Sequence, residues 1–413
     1  MAERLSFCMV TTFYPPHHFG GDAIHAYRLA NALARRGHAV TVVHSRDAHR
    51  ALARRDPEEA FPHEPGVTLR PLETRFPTAA ATATYLSGRP ALYARQLDAV
   101  FASGRFDVVH FHNVSLAGGP GVLRHGDGVK LYTASEHWLV CPMHVLFRDN
   151  REPCVEPHCL RCTLAFRRPP QVWRYTRLLE RVLPEVDLFL APSRFTLQAH
   201  RERGFTRPMS HLPHFLPAAD LSPPGKPGDA PQRPYVLFVG RLERLKGVHV
   251  LIEAFRSYRG LDLLVAGEGE LGQELRQRAA GLEHVRFLGH VGQEELDALY
   301  RNATALAVPS VGYEVFGLVV LEAFARGTPV VVNDLGALPE LVEDSGGGLV
   351  YRTSDGLVDA VERLRGDRGL RDRLGAAGLH AVTGLWSEET HLTRYLDLVA
   401  ELRAGRSRKL GRR

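Results

Sequence analysis

The sequence predicts an α/β protein with two doubly wound domains, each a parallel sheet covered by helices. Three observations carry this. At 413 residues the chain is too long for one ordinary hydrophobic core. Short β-branched runs alternate with longer helical patterns in both halves, which is the pattern of parallel sheets buried on both faces. One proline- and glycine-rich stretch, residues 216–234, separates the halves.

In chain order, "RLSFCMVTT" reads as a first strand, residues 22–36 as a helix stopped by Gly37, and "AVTVVHS" as a second strand. "FDVVHFHN" (106–113) and "VDLFLAPS" (186–193) read as further buried strands. After the linker the alternation restarts. The order is "YVLFVG", a helix over 247–257, "LDLLVAGEG", a helix, "VRFLGH", a helix, "ALAVPS", a helix from Gly317, and "TPVVVND". The expected domains are 1–215, with a Cys-rich insertion at 141–162, and 235–387. A helix over 388–404 is expected to pack back on the first domain, ahead of a basic tail at 405–413. Ligands of such folds bind beyond the carboxyl ends of the strands, so a cleft between the two domains is expected.

Composition excludes several classes of function. No apolar run approaches the roughly 18 residues of a membrane span, and the apolar stretch in "MAERLSFCMVTTF" is too short for a signal-peptide core. A cytoplasmic location is expected. The net charge of +6 equals the six cations of residues 402–413, "LRAGRSRKLGRR", so the body is formally neutral and no nucleic acid is expected as partner. The tail is read either as a weak contact to anionic lipid or as a solvated end.

The stretch "VGYEVFGLVVLEAFARG" places Gly317 at a helix start just after the strand "ALAVPS". Free N–H groups there suit phosphate. Glu314 and Glu322 flank that start. Eight residues of helix rise about 12 Å, too far for a glycosidase pair or for chelating one metal. Two carboxylates so spaced can hold opposite ends of an elongated ligand, and a nucleotide-sugar has that shape. The alternative is a helix-start acid and a solvated one. In "VGRLERLKGVHVLIEAF", Arg241 and Lys246 fall at a strand's carboxyl end, where two cations can neutralise a departing diphosphate. Gly20-Gly21 lie between the first strand and the first helix, where a glycine pair lets backbone approach a ligand.

Together, Phe13-Tyr14-Pro15, Gly20-Gly21, Arg36-Gly37-His38, Val239-Gly240-Arg241 with Lys246-Gly247, Gly267-Glu268-Gly269, and Glu314-x-Phe316-Gly317 with Glu322 resemble the retaining glycosyltransferases of family four. The resemblance spans residues 4 to about 400 and implies the GT-B fold, two Rossmann-like domains facing across a cleft. It further implies a UDP- or GDP-sugar donor held by the C-terminal domain. The acceptor, a lipid, saccharide or small natural product, would be held by the N-terminal one. By motif, Glu314 contacts donor sugar hydroxyls, Glu322 the ribose, and Arg241 and Lys246 the diphosphate. The backbone of Phe316, Gly317 and Leu318 completes the site, Gly20 and Gly21 lie opposite, and Val291 falls where the base is touched. No catalytic metal is implied. A nucleotide-sugar epimerase of the same fold and a catalytically silent donor-binding subunit are the alternatives.

The chain departs from the family where relatives with "W-L-x-C-P" carry His then Asp. Here "TASEHWLVCP" places Ser135-Glu136 there and His137 one residue later. Either Glu136 or His137 is expected to serve with Glu314 in catalysis. His110 and His112, on one strand face, are further candidates for the cleft. Finally, Cys141, Cys154, Cys159 and Cys162 lie within 22 residues, separated by 12, 4 and 2 residues in a polar segment. A four-thiolate structural zinc site is expected, as in some relatives, while Cys8 is expected to be a buried hydrophobe.

Overall fold

The computed structural model describes residues 3–53, 57, 60–221 and 233–410, with side chains through 408. It divides into two compact units. The first comprises the described residues of Met1–His144, Cys159–Pro213 and His391–Arg413, and the second those of Val145–His158 and His214–Thr390. Most of the linker, residues 222–232, lies outside the described residues, as does the end of the tail, 411–413.

The first unit holds a seven-stranded sheet: β1 (Ser6–Thr11), β2 (Ala39–Ser45), β3 (Val67–Leu72), β4 (Val108–Phe111), β5 (Val129–Thr133), β6 (Leu188–Ala191) and β7 (Met209–His211). Its order is β3-β2-β1-β4-β5-β6-β7, and every pairing is parallel. The second unit repeats the arrangement with β8 (Tyr235–Val239), β9 (Asp262–Ala266), β10 (Val285–Gly289), β11 (Ala305–Val308), β12 (Val330–Asn333) and β13 (Gly348–Tyr351). Its order is β10-β9-β8-β11-β12-β13, again all parallel. In both sheets the chain reverses direction across the sheet between the first and fourth strands. That switch point leaves a crevice at the carboxyl ends, between β1 and β4 and between β8 and β11.

The strand interiors are buried because helices cover both faces. β4, β5, β6, β9 and β11 have no exposed residue. β3 and β5 escape the sequence pattern for physical reasons. "VTLRPL" carries Arg70 and Pro71 on an edge strand, and "VKLYT" carries Lys130, a cation whose Nζ donates to Leu123 O at 3.0 Å.

Four helices bear on the site and its surroundings: α1 (Gly21–Arg35), α2 (Val248–Ser257), α3 (Leu318–Ala325) and α4 (Glu388–Leu410). From His391 onward α4 belongs to the first unit. Its Tyr395 hydroxyl meets His110 Nδ1 at 3.0 Å, and His391 Nδ1 meets Pro213 O at 2.7 Å. The helix runs past residue 404, through much of the stretch read as a tail. Arg403 pairs with Glu3 and Arg406 with Asp187 at 2.8 Å, so these two cations are tied to the fold rather than solvated.

Candidate active site

The second unit gathers its charged side chains at the switch point. Lys246 ends a single helical turn after β8, and Glu314 lies in the loop after β11. Lys246 Nζ and Ser310 Oγ each donate to Glu314 Oε1 at 2.7 Å. Burial pulls the Glu314 carboxyl up, but Lys246, Ser310 and Arg241 outweigh it and hold the group below the usual carboxylate range. The loops are locked backbone to backbone. Val311 N and Gly312 N both donate to Leu245 O, at 2.8 and 3.1 Å. Gly247, at φ +73°, is the N-cap of α2, and a Cβ there would lie 1.9 Å from Pro309 O. Only glycine fits. Arg241 is half exposed and pairs with Glu243 at 2.7 Å.

The expected 12 Å of helix between Glu314 and Glu322 is corrected by the structure. Gly317 is left-handed at φ +118°, and helix begins only at Leu318, so Glu314 sits on a loop. Phe316 turns its ring into the core against Trp386 and His214, which leaves its backbone as the part that can meet a ligand. Glu322, half-buried on α3, accepts from the Tyr300 hydroxyl at 3.3 Å. Leu318 and Val291 are partly buried beside the same core.

In the first unit, Glu136 lies at the carboxyl ends of β4 and β5. Its Oε2 accepts from His144 Nδ1 at 2.7 Å and from Asn113 Nδ2 at 3.2 Å, and Asn113 Nδ2 also reaches Asp22 Oδ2 at 3.2 Å. His137 is elsewhere. It is fully buried, 5.5 Å from the His200 ring, and burial, with His200 and Arg203, pushes it well below the ordinary histidine range. The two neighbours separate because residues 135–137 form a bend rather than strand. His110 and His112 are also interior. His110 Nε2 meets Thr133 Oγ1 at 2.8 Å, the two histidine rings are 4.2 Å apart, and Tyr395 stacks on His110. Gly20 caps α1 in ordinary extended backbone, φ −170°, with only Asp22 near its missing Cβ, so no close approach demands a glycine there.

Comparison with known proteins agrees with this architecture. The family model for Glycosyltransferase Family 4 matches residues 19–217, and that for Glycosyl transferases group 1 matches residues 224–380. A D-inositol 3-phosphate glycosyltransferase of Actinosynnema mirum is 31% identical over 407 residues, 90% of each chain. The chain belongs to glycosyltransferase family 4. A phosphatidyl-myo-inositol mannosyltransferase of Mycobacterium leprae is 40% identical over 155 residues, 36% of this chain and 41% of that one. The alignments with this and other relatives of similar identity span less than half of those proteins' length. Among solved structures, sucrose-phosphate synthase from Thermosynechococcus elongatus has a TM-score of 0.72 at 22% identity, covering 97% of this chain and 100% of that one. An Anabaena protein, HepE, in complex with UDP and glucose has a TM-score of 0.66 at 18% identity, covering 96% and 100%. These likenesses show the GT-B fold, with two Rossmann-like domains.

In this family 4 chain, several residues beside the motifs are invisible to sequence reasoning. Ser310 bonds Glu314, Glu243 pairs with Arg241, Tyr300 bonds Glu322 and Asn113 bonds Glu136, while Asp22 in turn accepts from Asn113. Gly336, at φ +66°, backs Glu314 so closely that a Cβ would lie 2.9 Å from Glu314 N. The Pro309-Ser310 pair just after β11 and the glycine at 336 are the sequence signals nearest to any of them.

The expected zinc site is not supported. Among the described residues, no group of three or more His, Cys, Asp or Glu side chains is arranged to hold a metal ion. Cys154 belongs to the second unit, with its thiol 3.8 Å from Glu156 O, while Cys141, Cys159 and Cys162 belong to the first. Beside Cys141 and Cys159 stands Arg174, which burial draws down to about 10, stacked 4.6 Å over Trp173 and donating to Trp138 O at 2.6 Å. A stacked arginine organises this segment. Cys8 is buried in β1, and burial pushes its thiol up.

Proposed function

We propose that the protein is a retaining glycosyltransferase that moves a sugar from a UDP- or GDP-sugar to an acceptor hydroxyl, with no catalytic metal. The carrying observation is the Lys246–Glu314–Ser310 cluster at the β8/β11 switch point, with Arg241 beside it. Lys246 and Arg241 supply the positive charge that a departing diphosphate needs. Glu314, held ionised by Lys246, is an acceptor for sugar hydroxyls. Glu322, midway along α3 and oriented by Tyr300, accepts from the ribose hydroxyls. Backbone N–H groups of Phe316, Gly317 and Leu318 complete the phosphate side, and Val291 packs near the base. Glu136, ahead of His137, is the carboxylate available to the acceptor hydroxyl. The lipid-linked and inositol acceptors named for relatives make a polyhydroxylated or lipid acceptor the first class to screen.

The test separates the two carboxylates. Glu322→Ala should weaken UDP or GDP and the matching sugar nucleotide alike in calorimetric titration. Glu314→Ala should spare the bare diphosphate and lose donor binding or turnover. Equal losses for both ligands in both variants would overturn this assignment, and an inverted anomeric centre in the product would overturn retention.

A further inference from the structure

The segment from Cys159 to Arg181 in the first unit anchors on buried Trp173 yet turns several large apolar side chains outward. Its helix Cys159–Ala165 buries Cys162 and Thr163 yet leaves Leu160 and Leu164 53% and 59% exposed. One helical turn apart, these two side chains share a face. The single turn Val172–Tyr175 comes next, with polar Gln171 buried and Val172 and Tyr175 64% and 65% exposed. Four large apolar side chains left exposed along one short segment, while polar Thr163 and Gln171 are buried, mark an interaction surface.

The scaffold beneath is firmly held. Trp173 Nε1 donates to Tyr85 O at 2.9 Å, and the Tyr85 hydroxyl donates to Pro169 O at 3.0 Å. Arg174 stacks on Trp138 and Trp173. Gly88, at φ +65°, closes the helix Pro77–Ser87 so tightly on Trp173 that a Cβ would lie 2.7 Å from its ring. The protruding side chains are therefore presented by a fixed frame.

Charge identifies the occupant. Arg161, Arg167 and Arg168 are exposed among the apolar side chains, and the segment's one acid, Glu180, is paired with Arg177. The neighbouring stretch 76–97 adds two exposed arginines, Arg89 and Arg95, and no acid. A second copy packed by a two-fold axis would set these arginines against themselves. A bilayer containing anionic lipid accepts both components, apolar side chains at the acyl boundary and guanidinium groups among the phosphates.

We propose that the surface formed by Leu160, Leu164, Val172 and Tyr175 with Arg161, Arg167 and Arg168 docks on an anionic lipid bilayer. This role is independent of the sugar-transfer chemistry and of the C-terminal tail, whose Arg403 and Arg406 are engaged within the fold.

Flotation of the full chain with phosphatidylcholine vesicles, with and without phosphatidylglycerol, tests it. The protein should float with the anionic vesicles, hardly with the neutral ones, and be released by high salt. Arg167→Glu with Arg168→Glu should weaken binding about tenfold or more, given the electrostatic contribution of each surface cation. Leu160→Ser with Leu164→Ser and Val172→Ser should do the same. Thermal melting of both variants should match the parent, because the altered side chains are exposed. Failure of the parent to float overturns the proposal, as does equal binding by the variants. A dimer in light scattering that these serines dissolve would assign the surface to a second copy instead and equally overturn it.

Discussion

Gly247→Ala tests whether backbone contact alone seats Lys246 beside Glu314. At φ +73° an L-residue pays about 1–2 kcal/mol for the left-handed conformation. The added methyl would lie 1.9 Å from Pro309 O and 2.7 Å from Pro309 C, which is far inside contact distance, so the strand-end backbone must move. Overpacking of that kind costs about 1–3 kcal/mol. The expected loss is therefore about 2–5 kcal/mol, read as a shift of the urea midpoint at unchanged slope. Because Val311 N and Gly312 N hang from Leu245 O, moving Pro309 also draws Lys246 from Glu314. Affinity for a bare nucleoside diphosphate should fall with stability, measured by calorimetric titration. A variant within about 0.5 kcal/mol of the parent, the ordinary range of a surface substitution, with unchanged titration, would refute the reasoning.

The same geometry sets three further outcomes. Glu314 has a folded pKa below its unfolded value, so its stabilising contribution is full above about pH 5 and is lost as pH falls through the folded pKa. Glu314→Gln should flatten the acid limb of a stability-against-pH curve below about pH 5; an unchanged limb would contradict the ion pair. Tyr300→Phe removes one hydroxyl donor from Glu322 and should weaken nucleoside diphosphate binding about three- to fivefold, in line with one hydrogen bond of about 1 kcal/mol, without moving the melting temperature by more than a few degrees. His112 and His391 are held neutral by burial, at about 3 and about 4. Their contribution is full above about pH 6.5 and declines as pH falls toward those values, so the protection factors of α4 amides, corrected for intrinsic exchange, should fall from pH 7 to pH 5; constant protection would show that opening of α4 does not release these histidines to take up protons.

The alternation of strand and helix was legible because β-branched runs buried on both faces leave no polar residue to blur them. Val67–Leu72 and Val129–Thr133 were not, because an edge strand tolerates Arg70 and Pro71 and Lys130 extends its chain to reach a carbonyl. The charged motifs were readable as residue types at strand ends, but their partners were not. Nothing local in the sequence says that Lys246 meets Glu314, because the switch in strand order brings their loops together, or that Tyr300, on the helix before β11, meets Glu322 on the helix after it. Glu136 and His137 could not be told apart because the strand alternation assumed for them gives way to a bend. The cysteines misled through proximity in sequence alone: Val145–His158, between Cys141 and Cys159, belongs to the other unit.

Neither unit is continuous in the chain, and this imposes an order on synthesis. Residues 214–390 leave the ribosome before 391–410, yet the first unit needs Tyr395 and His391 to cover His110 and His25. The part of the first unit that precedes residue 214 must therefore wait, with those imidazoles and Phe7 uncovered, while an entire second sheet is made. A nascent chain stalled near residue 390 should accordingly be a good client for chaperones that bind exposed aromatic surface, and should stop being one once α4 emerges.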